Sequence, residues 1–386
     1  MAKSPLIKKL IKNSKIESTS TLEESTVFNN ITTTRTKIPI INLALSGEFD
    51  GGLTSGFTAI AGPSKHFKSL LGLLCVGAYM DENPDAVCLF YDSEKGTTKA
   101  YLRSMGIDPE RVVYSRITTV EMLRNDIVTQ LDGLERGEKV IVFVDSIGNT
   151  ASKKEMADAL ADNDKQDMTR AKALKGMFRM LTPYLADLDI PMVAICHTYD
   201  TQEMYSKKVV SGGTGIMYSA DTVLIIGKQQ EKEGTELTGF KFILNIEKSR
   251  FVKEKEKLPL EVSFKGGISA FSGLLELATI VGYVGTPTKG WRSRKFLDEE
   301  TGELVFEEKK WRESDTDCVA FWKPLFKHEP FMEAVRAKYK ISELNMTDNS
   351  VLDDLYSDQD IDTIPDEIED DIKMPDGDTD IDQLLD

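Results

Sequence analysis

Cysteine and histidine are scarce in this chain. Four cysteines, Cys75, Cys88, Cys196 and Cys318, lie far apart among 386 residues, no C-x-x-C pair occurs, and there are only three histidines. This excludes a disulfide framework and the common zinc motifs, and it fits a reducing compartment. Long hydrophobic runs are missing as well. The longest, LLGLLCVGAYM at 70–80, is too short to cross a bilayer. The opening residues, MAKSPLIKKLIKNSK, are basic but lack the apolar run of a secretory signal. A cytoplasmic protein without membrane contact is therefore expected. No internal repeat is visible. Most of the chain also lacks a dominant charge. The net charge is −16, but residues 348–386 hold sixteen acidic side chains and one basic one, Lys373, a charge of −15. The other residues carry 47 basic and 48 acidic groups and are nearly neutral. Acidity is thus a property of a tail, read as disordered. It solubilises the chain, or it mimics nucleic acid or docks a partner. Isoleucines at 361, 364, 368, 372 and 381 lean toward the second role, since solvation alone does not need them.

What is present is an α/β pattern. The segment LIKKLIK has helical spacing, with Leu6, Ile7, Leu10 and Ile11 on one face. A Ser/Thr-rich linker and a strand-like TVF at 26–28 follow. These pieces are too small to bury themselves, so residues 1–34 are expected to dock on another protomer. From residue 35 strands alternate with helices. FTAIAG (57–62), AVCLFYD (86–92), KVIVFVD (139–145) and IPMVAIC (190–196) read as strands buried on both faces, and 120–135 and 169–188 as helices. Such alternation implies right-handed crossovers and a mostly parallel sheet flanked by helices. DTVLIIG (221–227), FKFILNIEK (240–248) and LPLEVSF (258–264) follow without helices between them, as an extension or a hairpin at the sheet edge. Composition shifts near 285, giving a small C-terminal α+β domain over 285–346 and the tail from 347.

The stretch GPSKHFKSL, Gly62 to Leu70, is a phosphate loop with one residue changed. The pattern G-x-x-x-x-G-K-[ST] has Gly62, Lys68 and Ser69 in place, but Phe67 stands where the second glycine belongs. In such a loop the backbone of Gly62, Pro63, Ser64, Lys65, His66, Phe67, Lys68, Ser69 and Leu70 curls at a helix N-terminus, and its N–H groups form an anion site. Lys68 reaches the β- and γ-phosphates of a nucleotide, and Ser69 ligates magnesium. If Phe67 must be left-handed, the strain is about 1–2 kcal/mol. Asp145, closing a buried strand one strand–helix unit later, is placed to hold the magnesium through water. The position after it, where many such ATPases keep a glutamate, is Ser146. The substitute is Glu94 in FYDSE, at the end of the intervening strand and facing the same crevice, where it can orient the attacking water.

That placement of glutamate is where the chain resembles the RecA-fold strand-exchange recombinases, and within them the T-even phage branch. The pieces in order are GPSKHFKS, VCLFYDSEKGTTKAYLRSMGIDPERV, KVIVFVDSIGN, DMTRAKALKGMFRMLTPYL, SGGTGIMYSADTV and EKSRFVKEKEK, covering about residues 35–340. The resemblance implies a RecA-like P-loop ATPase core, with ATP and Mg2+ as cofactors. It makes Glu94 the catalytic glutamate, Tyr101 the aromatic on adenine with Arg103 beside it, and His197 the γ-phosphate sensor, in a position where bacterial relatives have glutamine. Lys248 and Arg250 match basic residues that reach the neighbouring protomer's nucleotide. Gly212 and Gly213, in SKKVVSGGTGIMYS, match a DNA-binding loop in which Thr214 replaces asparagine. Lys175 and Arg179 match positions on the same DNA path. The implied partners are single- and double-stranded DNA, other copies in a head-to-tail helical filament, a single-strand-binding protein and a recombination mediator. If phage-encoded, the protein works in the bacterial host cytoplasm. The implied activity is DNA-dependent ATP hydrolysis coupled to homologous pairing and strand exchange. The alternatives are an ATP-gated scaffold or mediator crippled by Phe67, and a RecA-fold helicase motor.

Overall fold

The computed structural model describes residues 4–16, 19–25, 32–161, 169–201, 208–233, 236–298 and 300–341. The expected strand at 26–28, residues 342–346 and the acidic tail lie outside them. Helix α1 (Pro5–Asn13) stands first, then α2 (Pro39–Ser46), flanked by the two-residue strands β1 (Thr33–Thr34) and β2 (Leu53–Thr54). The central run is β3 (Gly56–Gly62), α3 (Lys68–Glu82), β4 (Val87–Asp92), α4 (Lys99–Ser104), β5 (Val112–Arg116), α5 (Val120–Asp132) and β6 (Val140–Asp145). It continues through α6 (Lys153–Leu160), α7 (Thr169–Leu188), β7 (Pro191–Asp200), β8 (Lys208–Val210), α8 (Thr214–Ser219), β9 (Thr222–Glu233), β10 (Glu236–Ser249) and β11 (Lys257–Ser263). The last elements are α9 (Leu274–Ile280), β12 (Val284–Thr288), β13 (Trp291–Leu297), β14 (Leu304–Phe306), β15 (Trp311–Arg312), α10 (Val319–Phe326) and α11 (Glu329–Tyr339).

Among the described residues the main sheet has nine strands in the order β11-β10-β9-β3-β7-β6-β4-β5, with β8 paired to β7. Strands β9, β3, β7, β6, β4 and β5 run parallel, and β9-β10-β11 form an antiparallel meander on one end. The inner parallel strands β3, β4 and β6 and the first part of β7 are almost wholly apolar because both faces are covered, whereas the edge strand β5 and the far end of β9 carry polar residues. In β6, Ile141 and Phe143 join a core with α3 and α2, whereas Val140, Val142 and Val144 join a second core with α5 and α7. This is the two-residue alternation of a pleated strand. The covering helices supply matching stripes. In α7 the buried residues are Leu174, Met177, Phe178, Leu181 and Leu185, a helical spacing that leaves Lys175 and Arg179 on the exposed side. The C-terminal helices pack into the first core through Phe321, Trp322, Phe331 and Val335. Helix α1 buries none of its residues, and Leu6 and Leu10 are 62% and 61% exposed.

The parallel arrangement decides where the chemistry sits. The carboxyl ends of β3, β4, β6 and β7 open onto one crevice. Gly62 is paired with His197 across β3 and β7, and Asp92 with Asp145 across β4 and β6.

Candidate nucleotide site

The loop between β3 and α3 is shaped by two left-handed residues that are not glycine, Lys65 (φ 60°) and Phe67 (φ 65°). They turn successive N–H groups inward as a concave nest. Helix α3 has no side-chain cap on its N-terminus. Its first N–H groups therefore remain available for an anion, with the helix dipole in favour. Phe67 thus adopts the conformation that a glycine would take without strain. Its ring stacks on Phe242 of β10, with centroids 4.7 Å apart and planes inclined by 27°. That contact offsets part of the backbone cost and ties the loop to the meander.

A cavity of about 360 Å³ is lined by Ser64 through Leu70, with Glu94, Tyr101, Asp145, His197 and Lys228 among its other walls. Lys68 is 6% exposed and its Nζ donates to the Pro63 carbonyl at 2.7 Å. Burial lowers its pKa, against the pull of Glu94 and Asp145. Burial raises the Asp145 carboxyl to about 6, and Glu94 and Asp92 push the same way; the Ser69 hydroxyl and Lys68 oppose it. Its buried Oδ1 has no hydrogen-bond partner among the described residues. An orphaned carboxylate oxygen beside a serine hydroxyl, next to a concave nest of N–H groups, is the donor set a hard divalent cation takes. The residues therefore fit magnesium.

Glu94 is held by a network that the sequence reading left incomplete. The Ser146 hydroxyl donates to Glu94 Oε1 at 2.7 Å, and His197 Nε2 lies 2.9 Å from the same oxygen. A carboxylate oxygen only accepts, so Nε2 carries the proton. Burial works against the Glu94 charge, but Ser146, His197 and Lys68 outweigh it and hold the carboxyl below the usual range. The backbone around Glu94 is fixed by Asp92, whose Oδ1 accepts from the Glu94 and Lys95 N–H groups at 2.8 and 2.7 Å. The position after Asp145, which lacks the usual glutamate, thus still contacts one. Ser146 orients the glutamate that has moved to the neighbouring strand. Arg170 donates to the carbonyls of Ile147, Gly148 and Thr150 and orders the following turn. Gly148 then lies flat against His197, where a Cβ would come within 2.3 Å of the ring.

Tyr101 lines the cavity, whereas Arg103 is exposed and is not among the residues lining it. Lys228 is an addition. Its Nζ sits 3.4 Å from the Lys65 carbonyl and 3.5 Å above the Phe240 ring centroid. It lies far from the loop in sequence, at the end of the DTVLIIG run, and only sheet order brings it there. Lys248 and Arg250 do not reach this cavity. Lys248 Nζ donates to the Met217 and Ala220 carbonyls at 2.8 and 2.7 Å, and Arg250 pairs with Asp221 at 2.7 Å.

The glycine loop lies one step from the site. Ser211 N–H donates to the His197 carbonyl at 2.7 Å, and Gly212 (φ 116°) and Gly213 (φ 72°) follow directly. Helix α8 packs on α7 so closely that a Cβ on Gly215 would come within 2.9 Å of the Lys175 Cα. Lys175 and the loop 212–214 thus share one surface, with Arg179 a turn further along α7.

A concave backbone nest, an aspartate with an unpartnered oxygen and a glutamate on the adjacent strand all lie at the carboxyl end of this sheet, the arrangement of a RecA-like core. The chain is 24% identical over 238 residues to RecA of Chloroherpeton thalassium, covering 61% of this chain and 65% of that one. It is 23% identical over 239 residues to RecA of Thermus aquaticus, covering 61% and 68%. The profile of the C-terminal domain of the bacteriophage T4 recombination and repair protein matches residues 271–335. The chain is also 56% identical over 342 residues to the recombination and repair protein of Enterobacteria phage T4, covering 89% of this chain and 88% of that one. It belongs to the family of that protein, the UvsX branch of the RecA-like recombinases. Among the described residues, no helix is long and apolar enough to cross a membrane.

Proposed function

We propose that the chain binds ATP with Mg2+, assembles as a head-to-tail helical filament on single-stranded DNA, and exchanges strands with a homologous duplex. Hydrolysis of the nucleotide drives turnover. The observation that carries this reading is the triangle of Glu94, Ser146 and His197 facing Lys68 and Asp145. The loop and Lys68 would hold the phosphates, and Ser69 and Asp145 would hold the metal, which screens phosphate charge when bound. Tyr101, with Arg103 near it, would flank the base. Glu94, ionised and fixed in direction, accepts a proton from the attacking water.

The ring of His197 meets Glu94 while its carbonyl holds the strand end that leads to Gly212 and Gly213. A change in phosphate contact at the ring therefore has a short covalent route to the loop proposed to bind DNA, with Thr214, Lys175 and Arg179 beside it. Lys248 and Arg250 are assigned to a neighbouring protomer's nucleotide. The filament reading is supported by two unpartnered features. Among the described residues strand β5 pairs only with β4, which leaves Val113 and Tyr114 48% and 51% exposed and an edge open to another strand. Among the described residues nothing covers the apolar face of α1. The reading divides the chain into a docking segment to residue 34, a core to 284, a small domain to 346 and the tail. A single-strand-binding protein and a mediator are its expected partners, and the cytoplasm its site of action. Glu94→Gln is the test: nucleotide binding persists, while hydrolysis falls by about 100-fold or more. Unchanged hydrolysis would remove Glu94 from its role.

A further inference from the structure

Lys228 lines the nucleotide cavity from β9 and has no task in the proposed function. The residue is half-buried, and among the described residues no carboxylate pairs with it. An ammonium group has three donors. Among the described residues its one hydrogen bond goes to the Lys65 carbonyl at 3.4 Å, longer than the about 2.7–2.9 Å of a charge-assisted bond. The charge otherwise rests over the face of Phe240, 3.5 Å from the ring centroid. A cation held over a ring, without a carboxylate, keeps donors free for an anion. The concave nest of N–H groups beside it is where an anion would sit.

Two links tie Lys228 to that nest. The carbonyl it touches belongs to Lys65, one of the two left-handed residues that shape the loop. The ring beneath it, Phe240, lies 6.1 Å from Phe242, which stacks on Phe67, the other left-handed residue. Three rings therefore run from the loop to the platform under the ammonium. Sheet order shows from which side Lys228 enters. Strand β9 lies on one side of β3, and β7, β6 and β4 lie on the other. Glu94 follows β4, which is four strand positions from β9, or about 19 Å between strand axes at about 4.8 Å per step. Lys68 helps to hold the Glu94 charge, and Lys228 does not. Lys228 thus reaches the cavity from the side away from the proposed hydrolysis.

We propose that Lys228 is a phosphate-binding residue: its ammonium leaves the Lys65 carbonyl and donates to the α- and β-phosphates of the nucleotide, while Lys68 serves the β- and γ-phosphates. The inference rests on the nucleotide reading of this cavity. The test is calorimetric titration of the full chain with ATP and with ADP, each with magnesium, in the parent, Lys228→Met and Lys228→Arg. Methionine keeps an unbranched stem over Phe240 without the charge, and arginine keeps the charge. Lys228→Met should weaken ATP and ADP by the same factor, about tenfold or more. Its ADP affinity should also depend less steeply on salt than the parent's, because one ionic contact to phosphate is gone. Lys228→Arg should stay within about threefold of the parent. Parent-like affinity in Lys228→Met, a loss that arginine does not restore, or an unchanged salt dependence would overturn the proposal. A loss confined to ATP would refute the placement at the α- and β-phosphates. A parent chain that binds neither nucleotide would refute the nucleotide reading itself, and this inference with it.

Discussion

Replacing Phe67 by alanine and by glycine separates two effects that the native residue combines. Phe67 holds φ 65°, where a side chain costs about 1–2 kcal/mol. Its half-buried ring contributes about 1 kcal/mol by burial and about 0.5–1.5 kcal/mol by stacking on Phe242. Phe67→Ala removes the ring and keeps the strain, so it should destabilise the protein by about 2 kcal/mol. Phe67→Gly removes the ring and the strain together, but adds unfolded-state freedom of about 0.4–1 kcal/mol. Glycine should therefore exceed alanine in stability by about 0.5–1 kcal/mol, the reverse of their ordinary order. Urea unfolding of both variants, followed by circular dichroism, measures this directly. Since both variants keep the nest's dihedrals, nucleotide affinity should stay within a few-fold of the parent. An alanine variant as stable as the glycine variant would refute the claim that this position is strained.

Other outcomes follow from the site. The Asp145 carboxyl, raised to about 6 by burial, is protonated below that pH in the absence of metal. Magnesium-dependent nucleotide binding should therefore weaken by up to about tenfold for each pH step below 6 and stay flat above it, as a titration with magnesium would show. The folded state holds this proton between about pH 4 and 6 while the unfolded chain has released it, so the group's contribution to stability falls as pH rises through that window. Asp145→Asn should then be more stable than the parent at pH 7, by up to about 3 kcal/mol, and equal to it near pH 4, while binding magnesium less well. Gly148→Ala drives a methyl group into the His197 ring and should lower hydrolysis with little change in nucleotide affinity; equal hydrolysis would show that the ring position is not needed.

Much of the fold was legible because burial on both faces leaves unbroken apolar strands, and KVIVFVD and IPMVAIC announce themselves. The nest was legible from Lys68 and Ser69 despite Phe67, because a left-handed conformation is a property of the backbone that phenylalanine can adopt at a cost. Ser146 was given no role, since a motif-based reading looks for a glutamate at that position and overlooks a hydroxyl that serves one on the next strand. Lys228, Arg170 and Gly148 could not be found, because each acts through a contact set by sheet order or by a turn rather than by sequence spacing. The Asp92 turn in YDSE was the one local signal available, an acidic side chain capping the N–H groups of the residues that follow it.

The central claim is tested most directly by measuring ATP hydrolysis with and without single-stranded DNA alongside strand exchange between that DNA and a homologous duplex. The account predicts hydrolysis stimulated by the single strand, exchange that depends on ATP, and loss of hydrolysis in Glu94→Gln. Vigorous DNA-stimulated hydrolysis without any exchange would contradict it and make the protein a motor, and DNA binding without hydrolysis would make it a scaffold.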